Sequence, residues 1–260
     1  MSYQHLLYNN EDGIGIVTVN RPAVLNALNY ESYTEFHTLF QEIEDDPDVR
    51  VVILTGSGQK AFIAGVDVTG MKDKNSIEIN DFIAVARGAN DRVYTLSKPV
   101  IAAINGFALG GGFEMALCCD LLLASKNARV GQPEISLGIV PGGGAMQRLT
   151  RLVGIHRAKE LVYTGDIIDA DTALSMGLVN RVMPLENLMP EARALARKLL
   201  GKSSVALSFA KKAMNSGVNM SLTSGIDADE CFFARCFATE DQKEGMNAFV
   251  AKRKPVFKNR

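Results

Sequence analysis

The stretch 99–134, PVIAAINGFALGGGFEMALCCDLLLASKNARVGQPE, constrains the fold more than any other part of the chain. An apolar run ends in Asn105-Gly106, and three successive glycines follow at Gly110, Gly111 and Gly112. Glu114 comes directly after them, and a second apolar run leads to Glu134 in Gly131-Gln132-Pro133-Glu134. Each carboxylate stands where an apolar element meets a turn marked by glycine or proline. The two acids are therefore read as halves of one active site.

The neighbouring segments set the class of the fold. Residues 13–20 (GIGIVTVN), 50–55 (RVVILT), 99–104 and 121–124 are short, apolar and rich in β-branched residues, and read as strands. Residues 31–45 carry Tyr33, Phe36, Leu39, Phe40 and Ile43 at helical spacing, and 82–96 and 112–119 also read as helices. Residues 61–67 form a short apolar piece bent by Gly65, and 71–80 are polar and read as a surface loop. Strands alternating with helices imply βα crossovers and parallel sheet. Beyond Pro141 the pattern is helical over 142–154, 157–163 and 171–176, with a brief strand at 178–182. Four helices then follow without an intervening strand, at 185–200, 205–215, 222–238 and 242–252. The chain thus reads as an α/β body over 1–200 and a helical region over 201–260. Phe232, Phe233, Phe237, Met246 and Phe249 give that region an apolar surface suited to packing on the body or on another subunit.

Composition excludes several classes. A chain of 260 residues, 47% hydrophobic and 22% charged, is long enough for a large core and ordinary for a globular protein. A formal net charge of −1 argues against a general nucleic-acid binder. The N-terminus lacks the apolar core and cleavage site of a signal peptide, and no apolar run is long enough to cross a bilayer. Cys118, Cys119, Cys231 and Cys236 form no C-x-x-C pair and read as small hydrophobic filler in a reducing, cytoplasmic compartment. Gly201-Lys202-Ser203 resembles the end of a phosphate loop but has Ala196 at the required upstream glycine, the glycine clusters do not fit G-x-G-x-x-G, and no G-x-S-x-G elbow occurs. His5, His37 and His156 are scattered, which disfavours a metal site or a serine–histidine triad.

The glycines and acids each allow two readings. Three glycines before a helix expose N–H groups at its positive end, which suits a developing oxyanion; they also suit a tight turn. The turn Ala64-Gly65 can supply a second donor, and loss of one oxyanion-hole donor typically costs about 3 kcal/mol of transition-state stabilisation. Glu114 suits a helix start electrostatically, but its neighbours Phe113, Met115, Ala116 and Leu117 are apolar. A desolvated carboxylate has a raised pKa suited to acid–base work near neutrality. Glu134 reads either as its partner or as a loop acid.

The chain resembles the enoyl-CoA hydratase (crotonase) superfamily from near its start to its end. The resemblance rests on Asn20-Arg21-Pro22 with Leu25-Asn26-Ala27-Leu28, the segment 61–67, the segment 99–120 and Gly131-Gln132-Pro133-Glu134. Pro141-Gly142, Gln147-Arg148-Leu149, Thr164-Gly165, the segment 237–246 and Lys252-Arg253-Lys254 extend it. It implies an α/β spiral of ββα turns over 1–200, a C-terminal helical trimerisation region over 201–260, and a hexamer built as a dimer of trimers. It implies reversible hydration of a short-chain trans-2-enoyl-CoA to the 3-hydroxyacyl-CoA, with coenzyme A as part of the substrate and no metal or redox cofactor. By resemblance, the N–H groups of Ala64 and Gly111 bind the thioester oxygen, Glu114 activates water, and Glu134 protonates the α-carbon. Gly142 helps to hold the water. Ala64, Gly65, Val66, Asp67, Val68, Gly111 and Gly142 would line the substrate, and Ala27, Phe233 and Lys252 would contact CoA. Ala23 stands where relatives often carry lysine, Phe113 replaces a small residue, and Gly143-Gly144-Ala145-Met146 departs from the usual glycine-glycine-threonine ending. An isomerase or another acyl-CoA lyase on the same scaffold is the alternative enzyme, and a non-catalytic RNA-binding relative the alternative class.

Overall fold

The computed structural model describes residues 3–260. In chain order the strands and helices run β1 (Leu6–Glu11), β2 (Ile14–Val19), α1 (Tyr30–Asp45), β3 (Val51–Gly56), β4 (Ala61–Ile63), α2 (Ile79–Thr95), β5 (Val100–Ile104), β6 (Phe107–Leu109) and α3 (Gly111–Ala116). They continue as β7 (Leu121–Ser125), β8 (Arg129–Gly131), α4 (Ala145–Val153), α5 (Ile155–Thr164), β9 (Ile167–Asp169), α6 (Ala170–Ser175) and β10 (Arg181–Met183). The helices α7 (Leu185–Leu200), α8 (Ser204–Gly217), α9 (Leu222–Cys236) and α10 (Glu240–Val250) close the chain.

The strands build two sheets, a six-stranded one in the order β1-β2-β3-β5-β7-β10 and a four-stranded one in the order β4-β6-β8-β9. Among the described residues only β1 with β2 and β8 with β9 pair antiparallel. The chain lays one strand in the large sheet, the next in the small sheet, and then turns back through a helix. This happens with β3, β4 and α2, and again with β5, β6 and α3. The result is the expected spiral of ββα turns.

Side-chain alternation decides what covers each face of the large sheet. Val52, Leu54, Val100, Ala102 and Ile104 join the main core with Phe36, Leu39 and Phe40 of α1. Val51, Ile53, Ile101, Ala103 and Leu123 face the other way and pack on Leu188, Ala192 and Ala196 of α7. Covering both faces explains why the central strands are unbroken apolar runs. α1 starts sharply because Asn29 and Ser32 cap each other: the Ser32 N–H donates to Asn29 Oδ1 at 2.9 Å and the Asn29 N–H donates to Ser32 Oγ at 2.8 Å.

Several elements differ from the sequence expectation. β1 carries a mostly polar edge and so shows no clean alternation, while β4, β6 and β9 are only three residues long, too short for a period to register. The strand expected at 178–182 lies at Arg181–Met183, because Leu178 is tied back by its N–H to Ala173 O across the Gly177 turn. The cysteines divide: Cys118 and Cys119 are buried filler, whereas Cys231 is exposed on α9, and all four are free. No helix among the described residues is long and apolar enough to cross a membrane.

The terminal helices are joined to the body by an ion pair. Lys211 on α8 is buried, and its Nζ donates to Asp120 Oδ2 at 2.8 Å and to Lys98 O at 3.2 Å. The same carboxylate oxygen accepts the Val100 N–H at 2.7 Å. Asp120→Ala would leave an ammonium without its counter-charge and a strand N–H without its acceptor. It is expected to lower unfolding stability by about 3 kcal/mol, read from urea titrations followed by circular dichroism.

Candidate active site

The site forms where β6 ends and α3 begins. Gly110 has φ +49°, a backbone open to glycine, and its N–H donates to Gly131 O at 3.0 Å. A Cβ on Gly110 would stand 2.7 Å from Glu134 Oε1, so the missing side chain is the space that the second acid fills. A Cβ on Gly112 would collide with the Ile63 backbone, which is how α3 seats against β4. One tight turn therefore links the small sheet to α3 and sets Glu114 on the helix beside the space that Glu134 fills.

Glu114 is buried in the first turn of α3. Its Oε1 accepts two backbone N–H groups from the loop before and at the start of α4, from Gly143 at 2.7 Å and Ala145 at 3.0 Å. Burial raises its pKa above the ordinary carboxylate value, and these N–H bonds and the Arg148 charge oppose that shift. Glu134 sits in a single 3-10 turn, Pro133–Leu137, directly after β8. Burial, and then the negative charge of Glu114, raise its pKa to about 7. The charge of Glu114 thus acts on Glu134, whose pKa of about 7 lets it hold a proton near neutrality.

Gln132 is wholly buried beside Glu134. With its amide nitrogen turned toward the acid, it donates to Oε1 at 3.0 Å and to Oε2 at 3.1 Å. Tyr33 is also buried, and its hydroxyl stands 2.9 Å from where a Cβ on Gly111 would lie. Its ring meets Phe82 of α2 edge-on at 5.7 Å. Burial first, then the charge of Glu114, keep the Tyr33 phenol protonated.

The backbone donors require a correction. The Ala64 N–H is already spent, donating to Leu25 O at 3.1 Å, so Ala64 is not the free donor that the resemblance implied. Leu28 pairs with Val66 in a parallel bridge through the Leu28 N–H to Gly65 O, at 2.9 Å, and the Asp67 N–H to Leu28 O, at 2.7 Å. That pairing leaves the Val66 N–H without a backbone acceptor among the described residues. Val66 Cγ2 also covers the face of Gly111 where a side chain would otherwise be. The N–H of Gly111, first residue of α3, has no backbone acceptor either.

The other expected residues fall into three groups. Gly65 and Gly142 flank the site, with Gly142 next to the Gly143 N–H that binds Glu114. Asp67 caps the short 3-10 turn Val68–Gly70 through the Thr69 N–H and lies 3.7 Å from Arg21, so its carboxylate is a structural cap, and Val68 is exposed beside it. Ala27 O accepts from Arg21 Nη1. Phe233 and Lys252 are not brought to the acids within one chain: Phe233 is exposed on α9 against Phe237, and Lys252 is exposed just past α10. Phe113 points into the core, and Met146 is partly exposed on α4.

The sequence reading missed Gln132, Asn90 and Asn26 as organising residues. Asn26 is wholly buried, donates to Ser57 O at 3.0 Å and Ala61 O at 2.8 Å, and accepts from the Arg21 N–H at 3.0 Å. Its position inside Leu25-Asn26-Ala27-Leu28 was a signal for it; Asn90 lies in a helix with no motif around it. Among the described residues no cluster of three or more His, Cys, Asp or Glu could hold a metal ion.

Two acids with raised pKa values beside free backbone donors, on a spiral of ββα turns, define an acid–base site for an acyl group. Comparison with known proteins agrees. The family model described as Enoyl-CoA hydratase/isomerase matches residues 9–260, and the chain belongs to that family. It is 46% identical to a short-chain-enoyl-CoA hydratase from Clostridium acetobutylicum, over 100% of both chains. It is 44% identical to a crotonyl-CoA hydratase from Syntrophomonas wolfei, over 99% of both. Among solved structures, an enoyl-CoA hydratase from Bacillus anthracis superposes with a TM-score of 0.95 at 36% identity, covering 99% of this chain and 100% of that one.

The coupling of the acids is directly measurable. In carbon-13 NMR titrations of labelled carboxyl groups, Glu134 is expected to titrate with a midpoint about 7. Glu114→Gln removes the neighbouring negative charge and should move that midpoint down, while burial keeps it above an ordinary glutamate.

Proposed function

We propose that this chain hydrates short-chain trans-2-enoyl-CoA thioesters reversibly to 3-hydroxyacyl-CoA. The observation that carries the reading is the pair of a buried Glu114, held by two backbone N–H groups, and a half-buried Glu134 whose pKa burial raises to about 7. The whole-length kinship with a crotonyl-CoA hydratase and a short-chain-enoyl-CoA hydratase supports it.

The geometry supports the following mechanism. The N–H groups of Gly111 and Val66 receive the thioester oxygen, and the α3 N-terminus adds its positive field. Polarising that oxygen draws electron density from the β-carbon. Glu114, with Oε1 held by two N–H groups, uses Oε2 to take a proton from a water that attacks the β-carbon, and Gly142 steadies the water. The enolate collapses as Glu134, protonated, gives its proton to the α-carbon. In dehydration the roles reverse. The two acids and the donors supply the whole chemistry, so the reaction needs no metal or redox cofactor; coenzyme A enters as part of the substrate.

The wider reading has its own supports. Leu222, Phe249 and Val250 on α9 and α10 are each more than 80% exposed, and Leu137, Val140 and Tyr163 add apolar surface on the body. Surface of this kind fits residues 201–260 as an assembly region and a hexamer built from two trimers. In such an assembly Phe233 and Lys252 would meet CoA bound to a neighbouring subunit. Free cysteines fit a cytoplasmic place, in fatty-acid metabolism such as β-oxidation, without nucleic-acid or membrane partners.

Glu114→Gln and Glu134→Gln are each expected to lower kcat for crotonyl-CoA hydration by roughly 10²–10⁴-fold, followed by loss of the conjugated thioester absorbance. Near-normal turnover in either variant rules out the two-acid mechanism. Hydration needs Glu134 protonated, so kcat/KM should fall as pH rises through about 7, and because the reaction exchanges no net proton with solvent, kcat/KM for dehydration should fall over the same range.

A further inference from the structure

We propose that Asn90 and Arg148 are positioning residues that grip Gly143 from two helices and so hold the Glu114 carboxylate in its working orientation. This rests on the hydratase reading above and extends it to residues that touch no substrate.

The need for a grip is visible in the loop. Gly143 and Ala145 supply the N–H groups that bind Glu114 Oε1. The residues Gly142, Gly143 and Gly144 belong to no strand or helix, and Gly144 has φ +106°. Three glycines in succession are the most mobile backbone a chain can offer. Left alone, such a loop would not keep two donors aimed at one oxygen. Nor can a side chain stiffen it, because a Cβ on Gly143 would collide with Glu114 Oε2 and stand 2.9 Å from Asn90 Nδ2.

Two side chains converge on the Gly143 carbonyl instead. Asn90 Nδ2, from α2, donates at 3.2 Å, and Arg148 Nη1, from the first turns of α4, donates at 3.2 Å. The Arg148 guanidinium is itself placed, lying over the Tyr94 ring of α2 at 5.1 Å. The carbonyl is thus fixed by both helices that flank the loop. Asn90 is buried, and its Oδ1 has no partner among the described residues. An apolar residue would avoid the cost of burying that oxygen, so the bond to Gly143 is what the position gains from asparagine.

Arg148 also acts through charge. The groups that face Glu114 are Arg148 from α4, Glu134 from its 3-10 turn, Tyr33 from α1 and Cys118 from the turn after α3. Arg148 is the one cation among them, and it favours the ionised Glu114 that water activation requires. Removing it should both loosen the loop and make Glu114 harder to ionise.

The test uses the full-length enzyme, crotonyl-CoA, and the variants Asn90→Leu, Arg148→Met and Arg148→Lys. Arg148→Met is expected to lower kcat by about 10–100-fold with KM within about threefold, and to move the acid limb of kcat/KM to higher pH. Asn90→Leu should lower kcat by about tenfold with a smaller displacement of that limb, since no charge is lost. Arg148→Lys keeps the charge and a donor, and should restore part of the rate and most of the limb. The double variant should lose less than the product of the single losses, because both side chains serve one carbonyl. Variants with wild-type kcat and an unmoved acid limb overturn the proposal. So does a lower melting temperature with kcat per folded enzyme and the limb unchanged, which would mark a purely structural role. If Arg148→Met does not fold, Asn90→Leu and Arg148→Lys decide by the same two readouts. A wild-type enzyme inert toward crotonyl-CoA overturns the hydratase reading itself, and is distinguished from this proposal by that control.

Discussion

The buried carboxylate of Glu114 and the two N–H groups that meet it are the constraint on which the rest depends. A carboxylate taken out of water must find hydrogen bonds or lose its charge. Gly143 and Ala145 provide them from 29 and 31 residues further along the chain. That contact fixes where the glycine loop before α4 must lie relative to α3. It also leaves the acid half-satisfied, with one oxygen held and the other available, and so ionisable yet basic. An acid bonded at both oxygens would be too weak a base, and one bonded at neither would stay protonated.

The ββα spiral is the means by which distant segments are made neighbours. Each turn places one strand in the large sheet and one in the small sheet, so the ends of β4, β6 and β8 lie side by side. Val66 follows β4, Gly111 and Glu114 follow β6, and Glu134 follows β8. The site is a row of strand ends. The long apolar strands of the other sheet, covered on both faces, provide the rigid frame that holds this row in register.

Much of this was legible in the residues. The apolar runs 50–55 and 99–104 could only be buried strands, and the spacing of Tyr33, Phe36, Leu39, Phe40 and Ile43 could only be a buried helix face. The glycine triplet and the two acids stood out because each breaks an apolar pattern at a turn. The short strands β4, β6 and β9 were not legible, since three residues carry no measurable period and are strands only because a neighbour pairs with them. The donor opposite Gly111 was misplaced by two residues for a similar reason. Which N–H in 64–67 is free depends on the loop 25–28, whose Leu25 and Leu28 carbonyls take the N–H groups of Ala64 and Asp67.

The sequence by itself determined an α/β body with parallel sheet and a helical C-terminal region, and it marked Glu114 and Glu134 as acids at turns, because burial periodicity and turn chemistry are local properties. Only the tertiary structure decided that Val66 rather than Ala64 keeps a free N–H, that Glu134 titrates higher than a free glutamate, and that Asn90 and Arg148 meet at one carbonyl. These depend on which groups exclude water from, or bond to, which others across tens of residues. Hydrogen-bond satisfaction and desolvation are properties of a packed environment, and no window of sequence contains that environment.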